Sequence, residues 1–175
     1  ENNSAYYDFG RINSAILYDN LMNKFVWGNI KDPKVNIDHF HDNTIAVMKY
    51  RNTFLRLAEQ LMQEASTETR VMGDSIINEI TDSTKIQEAI RVLDKSLEEI
   101  PLYQVPADFF LLNYISIYYA AGEQEKGNDL AWALALDNAQ TLRYIGSLSP
   151  NRRKALENDE RRSMQALQML VDMAR

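Results

Sequence analysis

Two histidines that lie two residues apart are the part of the chain best suited to metal chemistry. His39 and His41 flank Phe40 and lie between Asp38 and Asp42. Imidazole and carboxylate groups together suit zinc or nickel. On a helix, however, this spacing turns the two rings apart, unlike the spacing of four residues in helical zinc sites. The pattern therefore favours an aspartate cap at a helix start over a metal site, with His39 and His41 kept as the metal alternative.

Other side chains of types that can take part in catalysis are not spaced for it. Carboxylates are paired at Glu98–Glu99 and at Asp159–Glu160, but adjacent helical residues diverge, so neither pair forms an acid–base dyad. The sequence contains neither a Gly-x-Ser-x-Gly motif nor a glycine-rich phosphate loop. It has no cysteine, which excludes disulfides, Cys-ligated zinc and thiol catalysis. We therefore expect a chain that is not an enzyme and uses no cofactor; the alternative is an independent, metal-dependent enzyme built on the histidine pair.

Composition and charge indicate one acidic helical domain. The chain has 175 residues, of which 45% are hydrophobic and 25% charged, enough for a single core. Glycine (6) and proline (4) are scarce, which favours long helices. The net charge of −6 disfavours a nucleic-acid partner. The longest apolar-rich run without a charge, 109–122, is too short to span a bilayer, so we expect no membrane insertion of this chain.

The spacing of apolar residues predicts an all-α fold of about six main helices in one domain, 1–175. The predicted segments are a lead-in (1–11), a capping helix (12–26), a first helix pair (38–101) with an insertion (66–82), a second helix pair (106–146) and a C-terminal capping helix (150–173). The first helix should turn Ile16, Leu17, Leu21 and Phe25 inward. In the insertion we expect a loop with a short helical turn near 75–80, and we expect no strand in the chain.

Both predicted helix pairs have residues spaced as in tetratricopeptide repeats. Ala89 is followed twelve residues later by Pro101, as the small residue and the closing proline are in that repeat. In the second pair, Gly127 occupies the small-residue position, and Tyr118 is placed where the preceding helix carries an aromatic. The fold is therefore predicted to consist of tetratricopeptide-like antiparallel helix pairs with capping helices at both ends.

Four stretches in fixed order resemble the C-terminal soluble tail of a bacterial family of multi-pass membrane proteins, catalogued as domain of unknown function 2723. They are residues 18–38, 50–61, 88–112 and 118–130. The membrane part of that family is similar to protein O-mannosyltransferase-like glycosyltransferases. The resemblance implies a periplasmic tail that is tethered to the inner membrane through a preceding N-terminal part. It also implies that any catalytic residues belong to the membrane part, so none is assigned here.

A helical-repeat chain of this kind is predicted to hold a protein or peptide on its concave face. The first helix of each pair forms that face, and arginine and tyrosine are frequent anchors there. The predicted contact residues are Tyr50, Arg51, Arg56, Asn113 and Tyr114. The alternative is that some of these side chains pack between the repeats.

Aromatic side chains near the N-terminus form a second candidate surface. Tyr6, Tyr7, Tyr18 and Trp27 are expected to cover one end of the core. The alternative is an aromatic contact surface that faces the membrane portion of the same parent chain. Together these features predict a non-catalytic interaction or scaffold domain, with a purely structural tail that stabilises its parent as a further alternative.

Overall fold

The computed structural model describes residues 12–38, 42–72, 75–80 and 82–174. Over these ranges the chain is all-α apart from one small hairpin, which confirms the fold class predicted from the apolar spacing. Its α-helices are α1 (Ser14–Asp19), α2 (Asn52–Ala65), α3 (Ser83–Glu99), α4 (Phe110–Ala120), α5 (Gln124–Ser147), α6 (Pro150–Ala155) and α7 (Glu157–Met173). None of the described helices is both long enough and apolar enough to cross a membrane.

Two π-helical segments, with wider turns than an α-helix, adjoin the first helices. One, Asn20–Lys24, continues α1, and the other, Asp42–Arg51, leads into α2. The wide turn of the first is closed by the Phe25 amide, which donates to the Asn20 carbonyl at 2.8 Å. Such a turn rotates the side chains that follow it away from the α-helical stripe.

The predicted inward face of the first helix is only partly correct. Leu21 is 1% exposed and lies in the core, as predicted, and Leu17 is partly buried against it. Ile16 and Phe25, however, are 61% and 51% exposed. Phe25 already has extended backbone after the π turn, so its ring leaves the helical stripe and faces outward.

The insertion forms an antiparallel hairpin, so the predicted loop with a helical turn is wrong. Strand β1 (Ser66–Met72) pairs with β2 (Ser75–Ile80), and Met72 lies opposite Ser75. Thr67, Thr69 and Val71 alternate with polar residues, and two β-branched isoleucines follow one another in β2. Residues of these types favour extended backbone, and this pattern outweighs the acidic residues that suggested a loop.

The core lies where α2, α3 and α4 meet. α2 packs on α3, α4 packs on α5, and α2 also contacts α4, while α7 contacts both α4 and α5. Asp82 starts α3 by accepting hydrogen bonds from the amides of Thr84 and Lys85. Completely buried side chains from the three central helices include Phe54, Leu57, Leu61, Leu93, Leu111 and Ile115.

A glycine allows the close approach of α4 and α5. A Cβ atom on Gly127 would lie 2.6 Å from Cδ1 of Tyr119, closer than such atoms approach in proteins. The aromatic residue that Gly127 faces is Tyr119 and not Tyr118. Tyr118 turns toward α3 instead, where its hydroxyl donates to Asp94 at 2.8 Å.

The C-terminal segment is two helices and not one. Pro150 is the first residue of α6, where its fixed φ and missing N–H cost nothing. Leu156, with φ −109° and ψ 18°, separates α6 from α7. α7 then packs on α5 and contacts α4. The buried residues of α7 are Ser163 and Ala166.

Candidate functional site

Arg51 is buried and holds the loop between α3 and α4. Its guanidinium donates to the carbonyls of Ile100 (3.0 Å), Val105 (2.8 Å) and Pro106 (2.8 Å). It also forms an ion pair with the carboxylate of Asp108. The side chain of Arg51 is 0% exposed, so it cannot contact a partner of the folded chain. Its predicted role in partner binding is corrected to a structural one.

Tyr114 belongs to the same buried network. Its hydroxyl donates to the Arg51 carbonyl at 2.9 Å and shares a 2.8 Å hydrogen bond with Ser96. Burial raises the pKa of Tyr114, so the phenol stays neutral. Burial also raises the pKa of Asp108, although Arg51 opposes that shift. Tyr114 is 0% exposed and is likewise corrected from a partner contact to an interior residue.

Three of the predicted partner contacts, Tyr50, Arg56 and Asn113, remain accessible in the folded chain. Asn113 is exposed on α4, and its amide lies 3.5 Å from the carboxylate of Glu59 on α2. Neighbouring atoms that exclude water raise the pKa of Glu59, while Arg56 opposes the shift. Tyr50 is half-buried, and its ring meets that of Trp27 edge-on at 5.3 Å between centroids.

The predicted aromatic surface is only partly described. Tyr6 and Tyr7 lie outside the described residues, as do His39 and His41 of the metal candidate. Tyr18 is half-buried against the core. Among the described residues no group of three or more potential metal ligands occurs.

Trp27 lies at the centre of an aromatic cluster and is 8% exposed. Its ring centroid lies 4.9 Å from that of Phe54, 5.3 Å from that of Tyr50 and 6.0 Å from that of Phe25. The indole N–H is buried without a hydrogen-bond partner among the described residues. Tryptophan is therefore a packing residue here, and its ring also lines a surface pocket.

That pocket, called here the Phe25 pocket, has a volume of about 480 Å³. It is lined by Met22, Asn23, Phe25, Val26, Trp27, Gly28, Asn29, Lys95 and Glu99. A tight turn forms part of its wall, with the Ile30 amide donating to the Trp27 carbonyl at 3.3 Å. Gly28 and Asn29 both have positive φ in that turn, 63° and 58°, a conformation that glycine and asparagine tolerate better than other residues.

The rim of the Phe25 pocket exposes two adjacent apolar side chains. Val26 is 93% exposed and Phe25 is 51% exposed. Sequence reasoning missed Val26 as a site residue, because the predicted helix ended there, and the apolar spacing placed Phe25 inside. The available signal was the Gly28–Asn29 pair, whose preference for left-handed backbone indicates a sharp turn close to Phe25 and Val26.

Charged residues beside the pocket neutralise one another. The carboxylate of Glu99, a residue only 8% exposed, accepts hydrogen bonds from Lys95 (2.7 Å) and Lys31 (3.0 Å). Lys31 also donates to Glu98 at 3.0 Å. Burial alone would raise the pKa of Glu99, but the two lysines outweigh burial and lower it. The ionised form of Glu99 therefore stabilises the folded chain.

The lowered pKa of Glu99 predicts a loss of stability in acid. Because its folded pKa lies below the ordinary value of 4.5, its contribution is complete above that pH and disappears as the pH falls through the folded pKa. Glu99→Gln should reduce the free energy of unfolding by about 1–2 kcal/mol near neutral pH, and the difference should shrink below the ordinary pKa. Urea unfolding across the acid range measures this.

Glu98→Gln is the matched control, because its side chain is 59% exposed and surface ion pairs contribute little. A difference between wild type and Glu99→Gln that stays constant on acidification would contradict the role given to the Glu99 carboxylate.

Comparison with known proteins identifies no family. No protein-family model, curated protein or solved structure matches the chain. The resemblance to the tail of the membrane-protein family stays a prediction from the four sequence stretches.

Proposed function

We propose that this chain is a non-catalytic protein-interaction domain that takes an apolar side chain of a partner protein into the Phe25 pocket. The observation that carries the proposal is the position of Val26, an apolar residue 93% exposed at the edge of a concave site of about 480 Å³. Exposed apolar groups around a cavity are characteristic of binding surfaces.

The chemistry of the pocket fits an apolar anchor flanked by polar groups. Phe25, Val26 and Trp27 offer ring and methyl surface, while Asn23 and Asn29 offer amide groups that can pair with a partner's backbone. Lys95 and Glu99 already neutralise each other, so the pocket has no strong preference for a charged ligand. Interfaces of this kind gain most of their affinity from a few buried apolar anchors.

We also propose a tetratricopeptide-like arrangement as the scaffold for this site. α2 contacts α4 and α4 contacts α7, while α3 and α5 pack against their preceding helices, an order that suits stacked helix pairs. The close approach at Gly127 supports it. The hairpin between α2 and α3 departs from the repeat, in which a tight turn joins the two helices.

The proposed parent is a membrane-anchored, glycosyltransferase-like protein with this chain in the periplasm. The support is the ordered set of four stretches that resemble such tails. Protease treatment of spheroplasts from the native host, with an antibody against this chain, tests the location. We expect cleavage of the chain in spheroplasts without lysis and recovery of the undigested protein with the inner membrane.

Substitution at the pocket rim tests the binding role. Val26→Asp should abolish binding of a partner from solubilised envelope of the native host, because a carboxylate at the rim must be desolvated when an apolar anchor enters. Val171→Asp, on the exposed surface of α7 at 48% exposure, is the matched control and should retain the partner. Quantitative mass spectrometry of proteins eluted from the immobilised wild type and both variants measures the effect.

Two outcomes separate the possibilities. A partner lost with Val26→Asp and retained with Val171→Asp supports binding through the Phe25 pocket. The same set of bound proteins for wild type and Val26→Asp would refute it. Circular dichroism of each variant checks that the helices are intact, which is expected because both side chains are exposed.

A further inference from the structure

The outer face of α5 exposes a regular stripe of residues with a heptad spacing. Asp129, Leu136 and Arg143 are seven residues apart, and Trp132 and Ala139 lie between them at steps of three and four. We call these five residues the outer stripe. Trp132 is 72% exposed and Leu136 is 48% exposed. A large apolar pair at heptad spacing is the pattern with which one helix packs along another.

The outer stripe lies opposite the face of α5 that the fold already uses. The buried residues of α5 are Gly127, Leu130, Leu134 and Ile145. At about 100° per residue these residues centre on the far side of the helix from Leu136. α4 and α7 both pack on α5, and the exposure of Trp132 and Leu136 shows that neither covers the stripe.

The charges of the stripe are placed symmetrically about its apolar centre. Asp129 lies seven residues before Leu136, and Arg143 lies seven residues after it. On a straight helix the two charged residues are about 21 Å apart along the axis. Both are exposed, and within the described part of the chain neither forms an ion pair. One end of the stripe is therefore acidic and the other basic.

We propose that the outer stripe is a dimerisation surface, on which α5 of a second copy of this chain packs antiparallel about a two-fold axis at Leu136. The two-fold axis places Asp129 of each copy against Arg143 of the other, and the two Leu136 side chains meet at the centre. A two-fold interface must be self-complementary, and the equal spacing of the opposite charges about Leu136 meets that requirement.

The same geometry explains the other residues of the stripe. Trp132 of one copy lies beside Gln140 of the other, next to the small side chain of Ala139, which leaves space for an indole. Tryptophan at the centre of an interface commonly dominates binding. The ion pairs at each end fix the antiparallel direction and the register more than they add affinity. The dimer is independent of the Phe25 pocket, which is formed largely by residues 22–29.

Charge reversal at the two ends of the stripe tests both the partner and the register. Sedimentation equilibrium of the wild-type chain should show a monomer–dimer equilibrium. Asp129→Arg places arginine against arginine and Arg143→Asp places aspartate against aspartate, so each should raise the dissociation constant by about tenfold or more. The double variant Asp129→Arg/Arg143→Asp should restore the wild-type value. An equimolar mixture of the two single variants should form a heterodimer, because it restores both ion pairs.

Two further variants give the matched controls. Trp132→Ala should raise the dissociation constant by about tenfold or more without loss of helix, since the side chain is largely exposed in the monomer. Arg91→Asp reverses an exposed charge on α3 and should leave the equilibrium unchanged. A monomer at every concentration, or a dimer in which the double variant is no better than the single variants, would overturn the proposal.

Discussion

Arg51→Leu should lower the free energy of unfolding by about 3–5 kcal/mol, because it removes one partner of a buried ion pair and several hydrogen bonds at once. The substitution leaves the carboxylate of Asp108 without its counter-charge. It also leaves the carbonyls of Ile100, Val105 and Pro106 without their donor. Leucine fills part of the space but donates no hydrogen bond, so each of these groups loses its partner. Urea unfolding followed by circular dichroism measures the loss.

A second substitution separates the charge from the hydrogen bonds. Arg51→Leu/Asp108→Asn should recover part of the loss, because the neutral amide needs no counter-charge and can still accept from the Phe110 amide, as Asp108 does at 2.8 Å. Arg91→Leu, an exposed arginine on α3, is the control and should change stability by about 0.5 kcal/mol or less. A loss for Arg51→Leu no larger than this control would contradict the role of Arg51 as the clamp of the α3–α4 loop.

Trp27→Ala should cost about 3–5 kcal/mol, the range for deletion of a buried aromatic side chain. The indole contacts the rings of Phe54, Tyr50 and Phe25, so alanine leaves a cavity between α2 and the segment that forms the Phe25 pocket. Thermal and urea unfolding of the variant measure the effect. The same variant should bind the partner less well, because the wall of the pocket loses its support.

Trp27→Phe is the matched control for this prediction. It keeps a ring in the cluster and removes the buried indole N–H that has no partner, so it should cost about 2 kcal/mol or less. A Trp27→Phe variant as unstable as Trp27→Ala would show that the indole N–H has a stabilising partner. That result would contradict the packing role argued for Trp27.

The helices were predictable because their apolar residues recur with helical spacing over long stretches. The need for a small residue at position 127 was also predictable, since a side chain there would collide with Tyr119. The burial of Arg51 could not be predicted from the sequence, because its hydrogen-bond acceptors lie 49 or more residues further along the chain. The residues around Arg51 in the sequence predict an exposed arginine side chain. Only the tertiary fold brings the loop carbonyls to its guanidinium.

The hairpin and the pocket were missed for different physical reasons. In the segment 66–80, acidic residues and Gly73 suggested a loop, whereas the β-branched residues of both strands determine the structure. At the pocket, the helix ends with the π turn at Asn20–Lys24 and Phe25 has extended backbone, so that Phe25 faces outward. A constant helical period cannot predict which way a side chain points beyond such a turn.

The predicted partner contacts Arg56, Tyr50 and Asn113 stay predictions.

The most direct test of the interaction proposal is photo-crosslinking in the native host. The natural protein would carry a photoreactive amino acid in place of Val26 or, as the control, in place of Val171. We predict one discrete crosslinked protein from position 26, absent from position 171 and lost when Asn29→Ala or Phe25→Ser is added to reshape the pocket. No crosslink from position 26, or the same products from both positions, would contradict a partner-binding role for the Phe25 pocket.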